Sequence, residues 1–567
     1  MAEGKTEGAP DTVLAMLQAR LGRLPAPART LLCAASIFGS VFFRGGVAAL
    51  LGSAPLAGVD ASLAQLVELE LVSQSAASRL ASEVEYGFRH DLIRDAAYDL
   101  LTKEDRVLGH YLAAQFLEQA GEREAVTLAE HYRLGDAPDR AAKWYQRSAE
   151  QALDASELGT AQRRAQSAID VGARGEERGQ LYGLQATAAY WLRNDAETRR
   201  CAEQALIHLT PGKKDWYFSA AHFLVSCGRL KHWDAVSRQL AVVMSTQPEP
   251  AAISALGLCL ARTGYMFMMQ GRMPQVKQIA DELARLSAEL REAEPSALAQ
   301  VDHFRSAHAM LNGDIVSGVQ YMEKTIQSFE RAQDQRNVLM ERNTLACNLI
   351  EIGQYQRAEQ LTRLNLHECE RLKIPAPRSM TLAILGYSLT FFADKQQEAR
   401  KVLTEALERS RASQHRLHQS WALSALARLS YMEGRFAEVE THALPALEMM
   451  RADATTFQTW PLGWLARGYV KQGRLEEGRA FAEQAIASLK ALGSFTMAPM
   501  VPPLARAEAL LALGERDAAR QAIESAKRRV LRLADRLTEP SWRVWFLGHP
   551  ENAATLALPD ALPAQCP

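Results

Sequence analysis

The chain has 567 residues, of which 48% are hydrophobic, 23% charged and 7% aromatic. That composition excludes a mostly disordered protein, and the length fits roughly three or four domains. Lys+Arg number 65 against Asp+Glu 66, so the net charge of −1 supplies no long-range attraction to nucleic acid or anionic lipid.

Residues 1–10 read as a flexible polar leader. Asp11 can cap a helix that runs to Leu21, and Leu24-Pro25-Ala26-Pro27 breaks it. Leu31 to Leu51 is the most apolar stretch. Arg44, Gly39, Gly45 and Gly46 interrupt it, which predicts two short buried helices joined at Gly45-Gly46 rather than a membrane span. No other stretch reads as a membrane span. A third helix is expected over Asp60 to Leu71, packed by Leu66, Val67 and Leu71. Val72-Ser73-Gln74-Ser75 reads as a polar turn. The alternation of Val84, Tyr86 and Phe88 is that of a half-buried strand. Three helices, a small hairpin and another helix outline a winged-helix domain over residues 11–120. A winged helix that reads DNA needs a basic recognition helix. The third helix carries Asp60, Glu68 and Glu70 and neither Lys nor Arg, which disfavours DNA as a partner.

From residue 121 to 540 the dominant signal is an internal repeat. Gly228, Gly271, Gly313, Gly353, Gly434, Gly473 and Gly514 recur in short turns, with Ala393-Asp394 filling the one gap, at intervals of 39 to 43 residues. Such a period means stacked helical hairpins. Glycine would end the first helix of each unit in a left-handed conformation. Five residues past most of these turns stands a small or slim residue: Val276, Gly318, Ala358, Val439, Gly478, Ala519. That lets the second helix approach the first. Weaker hairpins extend upstream at Leu192-Arg193-Asn194 and Leu134-Gly135-Asp136. One unit cannot bury its apolar face alone, so neighbours must stack. The pattern resembles the tetratricopeptide repeat in a longer variant, with armadillo-like or HEAT-like hairpins as the alternative architecture. Residues 541–567 read as a cap, in which Trp542 and Trp545 cover the last helix face, and a mobile Pro/Ala-rich tail. The fold class expected is therefore all-α with a small β wing: a winged helix followed by an α-solenoid.

The segment Tyr86 to Leu101, YGFRHDLIRDAAYDLL, resembles the end of the winged helix in bacterial STAND-class signalling ATPases and multidomain Ser/Thr kinase regulators. Leu128-Ala129-Glu130-His131-Tyr132 and Ala141-Ala142-Lys143-Trp144-Tyr145 match downstream, and Arg29 to Gly39 matches upstream. The resemblance implies a nucleotide-binding module followed by a winged helix and a sensor array of repeats. It also implies that His90 and Asp91, at the strand-to-helix junction, sense a bound nucleotide when such a module is supplied in trans. An imidazole and backbone N–H groups at a helix start suit a phosphate oxygen. The plain alternative is that His90 caps the helix and Asp91 neutralises its dipole.

No such module is legible. A P-loop needs G-x-x-x-x-G-K-[ST] after a strand, whereas Gly4-Lys5-Thr6 stands alone in the leader. The kinase Gly-rich, His-Arg-Asp and Asp-Phe-Gly motifs are missing too. His415 and His418 have a metal-ligand spacing without a third ligand, and read better as a solvated pair. His367-Glu368 fails as H-E-x-x-H because position 371 is Arg, and His303 and His308 share a helix face poorly. Met266, Met268 and Met269 read as gap-filling core. The seven cysteines are scattered without a CxxC, as expected of reduced thiols in a cytoplasm. We therefore expect no catalytic residue, metal or cofactor. The expected act is binding of a protein or peptide on the concave repeat surface, with an ATPase or kinase chain as a further partner. A winged-helix transcription regulator, or a fragment of a larger ATPase or Ser/Thr kinase, are the alternatives.

Overall fold

The computed structural model describes residues 11–52, 55–372, 377–492 and 497–558. Residues 1–10, read as the leader, and the stretch 559–567 of the expected tail lie outside the described residues. The chain divides into two compact units, Met1–Thr210 and Pro211–Pro567.

In the first unit, helices Asp11–Leu21 and Ala26–Ser36 are separated at the Pro-rich break. Where the sequence suggested two helices meeting at Gly45-Gly46, a strand intervenes: β1, Val41–Phe43, leads straight into helix Arg44–Leu50. Both glycines lie inside that helix and serve close approach instead. A Cβ at Gly46 would sit 2.7 Å from Phe38 and 2.9 Å from Phe116. Gly45 donates its N–H to the Glu83 carboxylate at 2.9 Å. The third helix runs from Leu56 to Glu68, four residues earlier than expected at its start. The stretch read as a polar turn is a strand, β2 (Val72–Gln74), which pairs antiparallel with β3 (Glu85–Phe88). β1 pairs with the other edge of β3, giving the sheet order β1-β3-β2. Three-residue strands are too short for a period-2 pattern to declare them. Phe42 stacks on Tyr86 across the sheet with ring centroids 5.7 Å apart. Beneath them Leu31, Leu32, Val47, Val59, Leu63, Leu66 and Ile93 form the core.

Three helical hairpins complete this unit: Lys103–Gln119 with Ala125–Leu134, Pro138–Asp154 with Leu158–Asp170, and Gly175–Trp191 with Asp195–His208. Eight more form the second unit, from Lys214–Arg229 with Trp233–Ser245 to Val501–Ala512 with Arg516–Ala534. The turn inside ten of the eleven hairpins is built alike. A residue at positive φ ends the first helix, and the next N–H bonds back to the carbonyl five residues earlier, as in Arg272 N–H to Phe267 C=O at 2.8 Å and Glu515 N–H to Leu510 C=O at 3.0 Å. Gly271, Gly313, Gly353, Gly434, Gly473 and Gly514 occupy the left-handed position as expected, with φ from 70° to 87°. Gly228 does not. It lies within its helix, and Lys231 (φ 60°) makes the turn, with His232 N–H bonded to Cys227 C=O. Gly228 instead admits Met266, whose sulfur would lie 2.2 Å from a Cβ there. Upstream, Arg193 and Ser156 make the equivalent turns. Leu134-Gly135-Asp136 bends the chain in the same way between helices Ala125–Leu134 and Pro138–Asp154, with Asp136 at φ 53° and Ala137 N–H bonded to the Tyr132 carbonyl at 2.9 Å. At the gap, Ala393–Lys395 is a 3₁₀ turn and not a left-handed one.

With the turns so placed, the slim position five residues on extends through the whole series. Ala161, Thr198, Val236 and Ala399 join Val276, Ala358, Val439 and Ala519, and all are buried to within 1%. At Gly478 a Cβ would stand 3.0 Å from the Ala466 carbonyl oxygen, so even alanine would push these two helices apart. The Met run behaves as core: Met266 and Met268 are buried. One helical stretch among the described residues, Pro250–Met269, is long and apolar enough to cross a membrane, contrary to the sequence reading. Most of it is buried within the second unit. All six described cysteines are free and buried.

Candidate functional site

The first helices of the hairpins line the inside of the second unit, and that inside is occupied. Residues 541–558, expected to be a cap and mobile tail, form helices Pro540–Leu547 and Pro550–Ala557. Trp545 is 42% exposed. Trp542 packs half-buried against the core, and Phe546, at 3%, is fully covered. The turns of three earlier hairpins meet later parts of the chain. Thr456 donates its hydroxyl to the Met268 carbonyl, Arg536 donates to the Asn312 carbonyl, and Gly353 lies against the Trp545 backbone. The unit thus closes on itself around its own C-terminal helices.

At the centre is a buried ion pair. Arg428, fully buried, donates through Nη1 to the Thr390 carbonyl (2.9 Å) and hydroxyl (2.8 Å) and through Nη2 to Glu551 Oε1 (3.2 Å). Its guanidinium lies 3.7 Å from the Phe391 ring centroid. Glu551 is 3% exposed, and its other oxygen is 2.8 Å from His549 Nδ1. Burial alone would raise its pKa. The Arg428 and His549 charges outweigh burial and hold the carboxylate well below the usual range. Around the pair, Tyr355 stacks on Phe391 at 4.2 Å, and the His549 ring lies 5.8 and 5.3 Å from those two rings. A second arginine, Arg467, holds Glu508 with a two-pronged contact of 2.8 and 2.9 Å against Trp464 and Tyr431. Glu351 accepts the Ala498 N–H at 2.9 Å, and burial pushes its pKa up to about 7.

The residues singled out in the sequence are elsewhere. His90 occupies the N-cap position of helix Asp91–Asp99, but it is exposed and its side chain makes no capping bond. The Asp91 carboxylate accepts from Ser40 (2.7 Å) and pairs with Arg94 (3.2 Å). Asp60, on the acidic third helix, pairs with Arg44. His415 and His418 are not a solvated pair. Their rings stack at 3.5 Å, and His418 is buried with Nδ1 2.7 Å from the Ser379 hydroxyl. Glu368 pairs with Arg371, the residue that breaks H-E-x-x-H. His303 pairs with Glu341 at 2.7 Å.

The sequence reading missed a buried chain in the first unit. The Tyr98 hydroxyl is 2.9 Å from His110 Nε2, and the Nδ1 atoms of His110 and His131 are 3.0 Å apart. Burial depresses both imidazoles to a pKa of about 4; for His110 the neighbouring His131, Arg133 and Arg106 add to it, while Glu130 opposes the shift at His131. Below the ordinary histidine pKa of 6.5 the unfolded chain therefore takes up protons that the folded one refuses. The stability of this unit is expected to be intact above about pH 6.5 and to fall toward pH 4, by up to roughly 1.4 kcal/mol per pH unit for each histidine. Urea melts across that range check it. His110→Gln with His131→Gln is expected to flatten the slope.

No family model matches the chain. Among curated proteins it is similar to anaphase-promoting complex subunit 7 of Dictyostelium discoideum, 32% identical over 149 residues. That match covers 26% of this chain and 23% of that protein. Among solved structures it is similar to a signal transduction ATPase with numerous domains (STAND) with a tetratricopeptide repeat sensor, from Pyrococcus horikoshii. The TM-score is 0.51 at 12% identity, covering 78% of this chain and 66% of that one. The hairpins are a tetratricopeptide-type solenoid. A Rap protein complexed with competence and sporulation factor is also similar, with a TM-score of 0.43 at 14% identity, over 61% of this chain and 96% of that one. The chain spans less than a quarter of the curated relative and just under two thirds of the STAND structure. At such identities the structural likeness speaks to the fold alone.

Proposed function

We propose that this chain is a non-catalytic, protein-binding scaffold of the kind found in STAND-type ATPases and kinase regulators, and that its repeats take the partner. One observation carries the reading. The inside of the second unit grips two helices of protein through an arginine and aromatic rings, which is the chemistry of peptide recognition. The architecture adds support. Two helices between β1 and β2, a β2–β3 hairpin, and β1 on the far edge of β3 follow the order of a winged helix. We read residues 11–120 as such a domain, relaying the state of the repeats to a nucleotide-binding module on another polypeptide or another part of a longer one. The acidic face of Leu56–Glu68 speaks against DNA as its target. In this reading His90 and Asp91 face the nucleotide of that module, their exposure leaving them accessible.

The purified chain is expected to show no ATP turnover and no retardation of random duplex DNA. Partners that co-purify with the tagged full chain are expected to crosslink to residues of the repeats. P-loop-type hydrolysis by this chain, a salt-dependent gel shift, or crosslinks confined to residues 11–100 would overturn the reading.

A further inference from the structure

The helices Pro540–Leu547 and Pro550–Ala557 are held unlike the rest of the core. Each has eight residues, too few for a helix to persist without its surroundings. Phe546 enters the hydrophobic core, with Trp542, Leu547 and Leu556 packed against it, and a polar set fixes the rest. Glu551 meets Arg428, and both are buried to within 3%. His549 sits in the aromatic frame of Tyr355 and Phe391, and Asn552 donates to the Phe546 carbonyl at 2.7 Å. A buried ion pair adds little net stability compared with an apolar filling, but it imposes register and penalises every occupant without the right charge. The partners of the pair are 123 positions apart in sequence, so the repeats supply one half and the occupant the other.

The fit is incomplete on the polar side. Tyr355 Oη, Tyr387 Oη, Trp464 Nε1, Arg428 Nε and Asn552 Oδ1 are buried and find no hydrogen-bond partner among the described residues. A cavity of about 30 Å3 remains between occupant and walls, bordered by Glu351, Phe546, His549, Glu551 and Asn552. Such unpaired groups are uncommon in a finished core, and each is a cost that a better-matched occupant would remove. Tyr355 and Arg428 meet the occupant directly, so another segment that offers acceptors to the Tyr355 hydroxyl and Arg428 Nε would be held better than the resident one.

We propose that residues 540–557 are a resident ligand of the repeat interior, and that they are exchanged for a helical segment of a partner protein that presents an aromatic side chain and a carboxylate in the places of Phe546 and Glu551. This inference rests on the scaffold reading above and names the class of partner. The Arg428 guanidinium selects the carboxylate, the Tyr355 and Phe391 rings frame what precedes it, and displacement frees residues 540–557 at the surface.

The test uses the full chain and a fluorescent synthetic peptide of residues 539–558. Wild-type protein is expected to bind the peptide weakly, because the resident segment competes. Protein carrying Glu551→Gln is expected to bind it at least tenfold more tightly. The peptide carrying the same change is expected to lose that gain. In hydrogen exchange on the unmodified chain, the amides of 540–557 are expected to exchange faster than those of helix Arg416–Met432, and faster still with excess unlabelled peptide. Equal affinity of both proteins, equal affinity of both peptides, or exchange of 540–557 only at the rate of helix 416–432 would overturn the inference. The exchange comparison decides alone should the variant not fold. Failure here leaves the scaffold reading standing, since partners crosslinked to the repeats elsewhere would still support it.

Discussion

Arg428→Ala is expected to destabilise the unit spanning residues 211–567 by about 3–5 kcal/mol, because it leaves the Glu551 carboxylate buried without its counter-charge. It also removes the donor to the Thr390 carbonyl and the cation over Phe391. Replacing both members of the pair by apolar residues of similar size, Arg428→Met with Glu551→Leu, is expected to recover most of the loss. Denaturant midpoints for the single and double variants, with unchanged m-values, measure the coupling. Additive losses would show that the pair does not act as a unit. The pH dependence has a definite sign. Glu551, held below the usual range, contributes stability above its unfolded pKa, lost as pH falls through that region. Glu351, pushed up to about 7, does the reverse: its burial weighs progressively more as pH rises from about 4.5 to 7. Glu351→Gln is expected to raise stability at neutral pH and to change it little at pH 4.5.

Gly353→Ala is the second large effect. Gly353 has φ of 87°, and a Cβ there would lie 2.6 Å from the Trp545 carbonyl oxygen. Two costs therefore add: about 1–2 kcal/mol for a side chain in the left-handed region, and about 1–3 kcal/mol for displacing helix Pro540–Leu547. Gly434 is the control. Its φ is 75°, and nothing stands within 4 Å of its notional Cβ. Gly434→Ala is therefore expected to cost only the first term. Urea midpoints of the two variants separate the general requirement of a hairpin turn from the local requirement of the seam. Equal losses would mean that the Trp545 contact carries no weight.

Much of the repeat was legible because the physics is local. A left-handed turn favours glycine, and the crossing of two helices favours a small residue one turn and a half later. Both rules operate within a dozen positions, so periodicity exposes them. The turns at Lys231 and Ser156 escaped because those residues adopt the same conformation without glycine, whereas the turn read at Leu192-Arg193-Asn194 is there, with Arg193 in the left-handed position. That also explains why Gly228 misled: it is a packing glycine three residues from the true turn. The strands β1 and β2 escaped because each has three residues. The central pair was illegible for a different reason. Arg428 lies on a helix that reads as one repeat among eight, and Glu551 in a stretch whose composition suggests a tail. Only tertiary closure makes them neighbours. The His-Pro-Glu-Asn run at 549–552, a proline at a helix start followed by an acid, was the available hint.

The seams at Asn312 with Arg536, Met268 with Thr456 and Gly353 with Trp545 bear on how this protein can change over evolutionary time. In an open stack each module touches only its neighbours, so modules can be duplicated or deleted with little penalty. Here one inserted module between Gly353 and Thr456 would carry each seam partner past its mate. Copy number in this unit is therefore locked, and lineages should diversify by point substitution and loop length rather than by gaining or shedding modules.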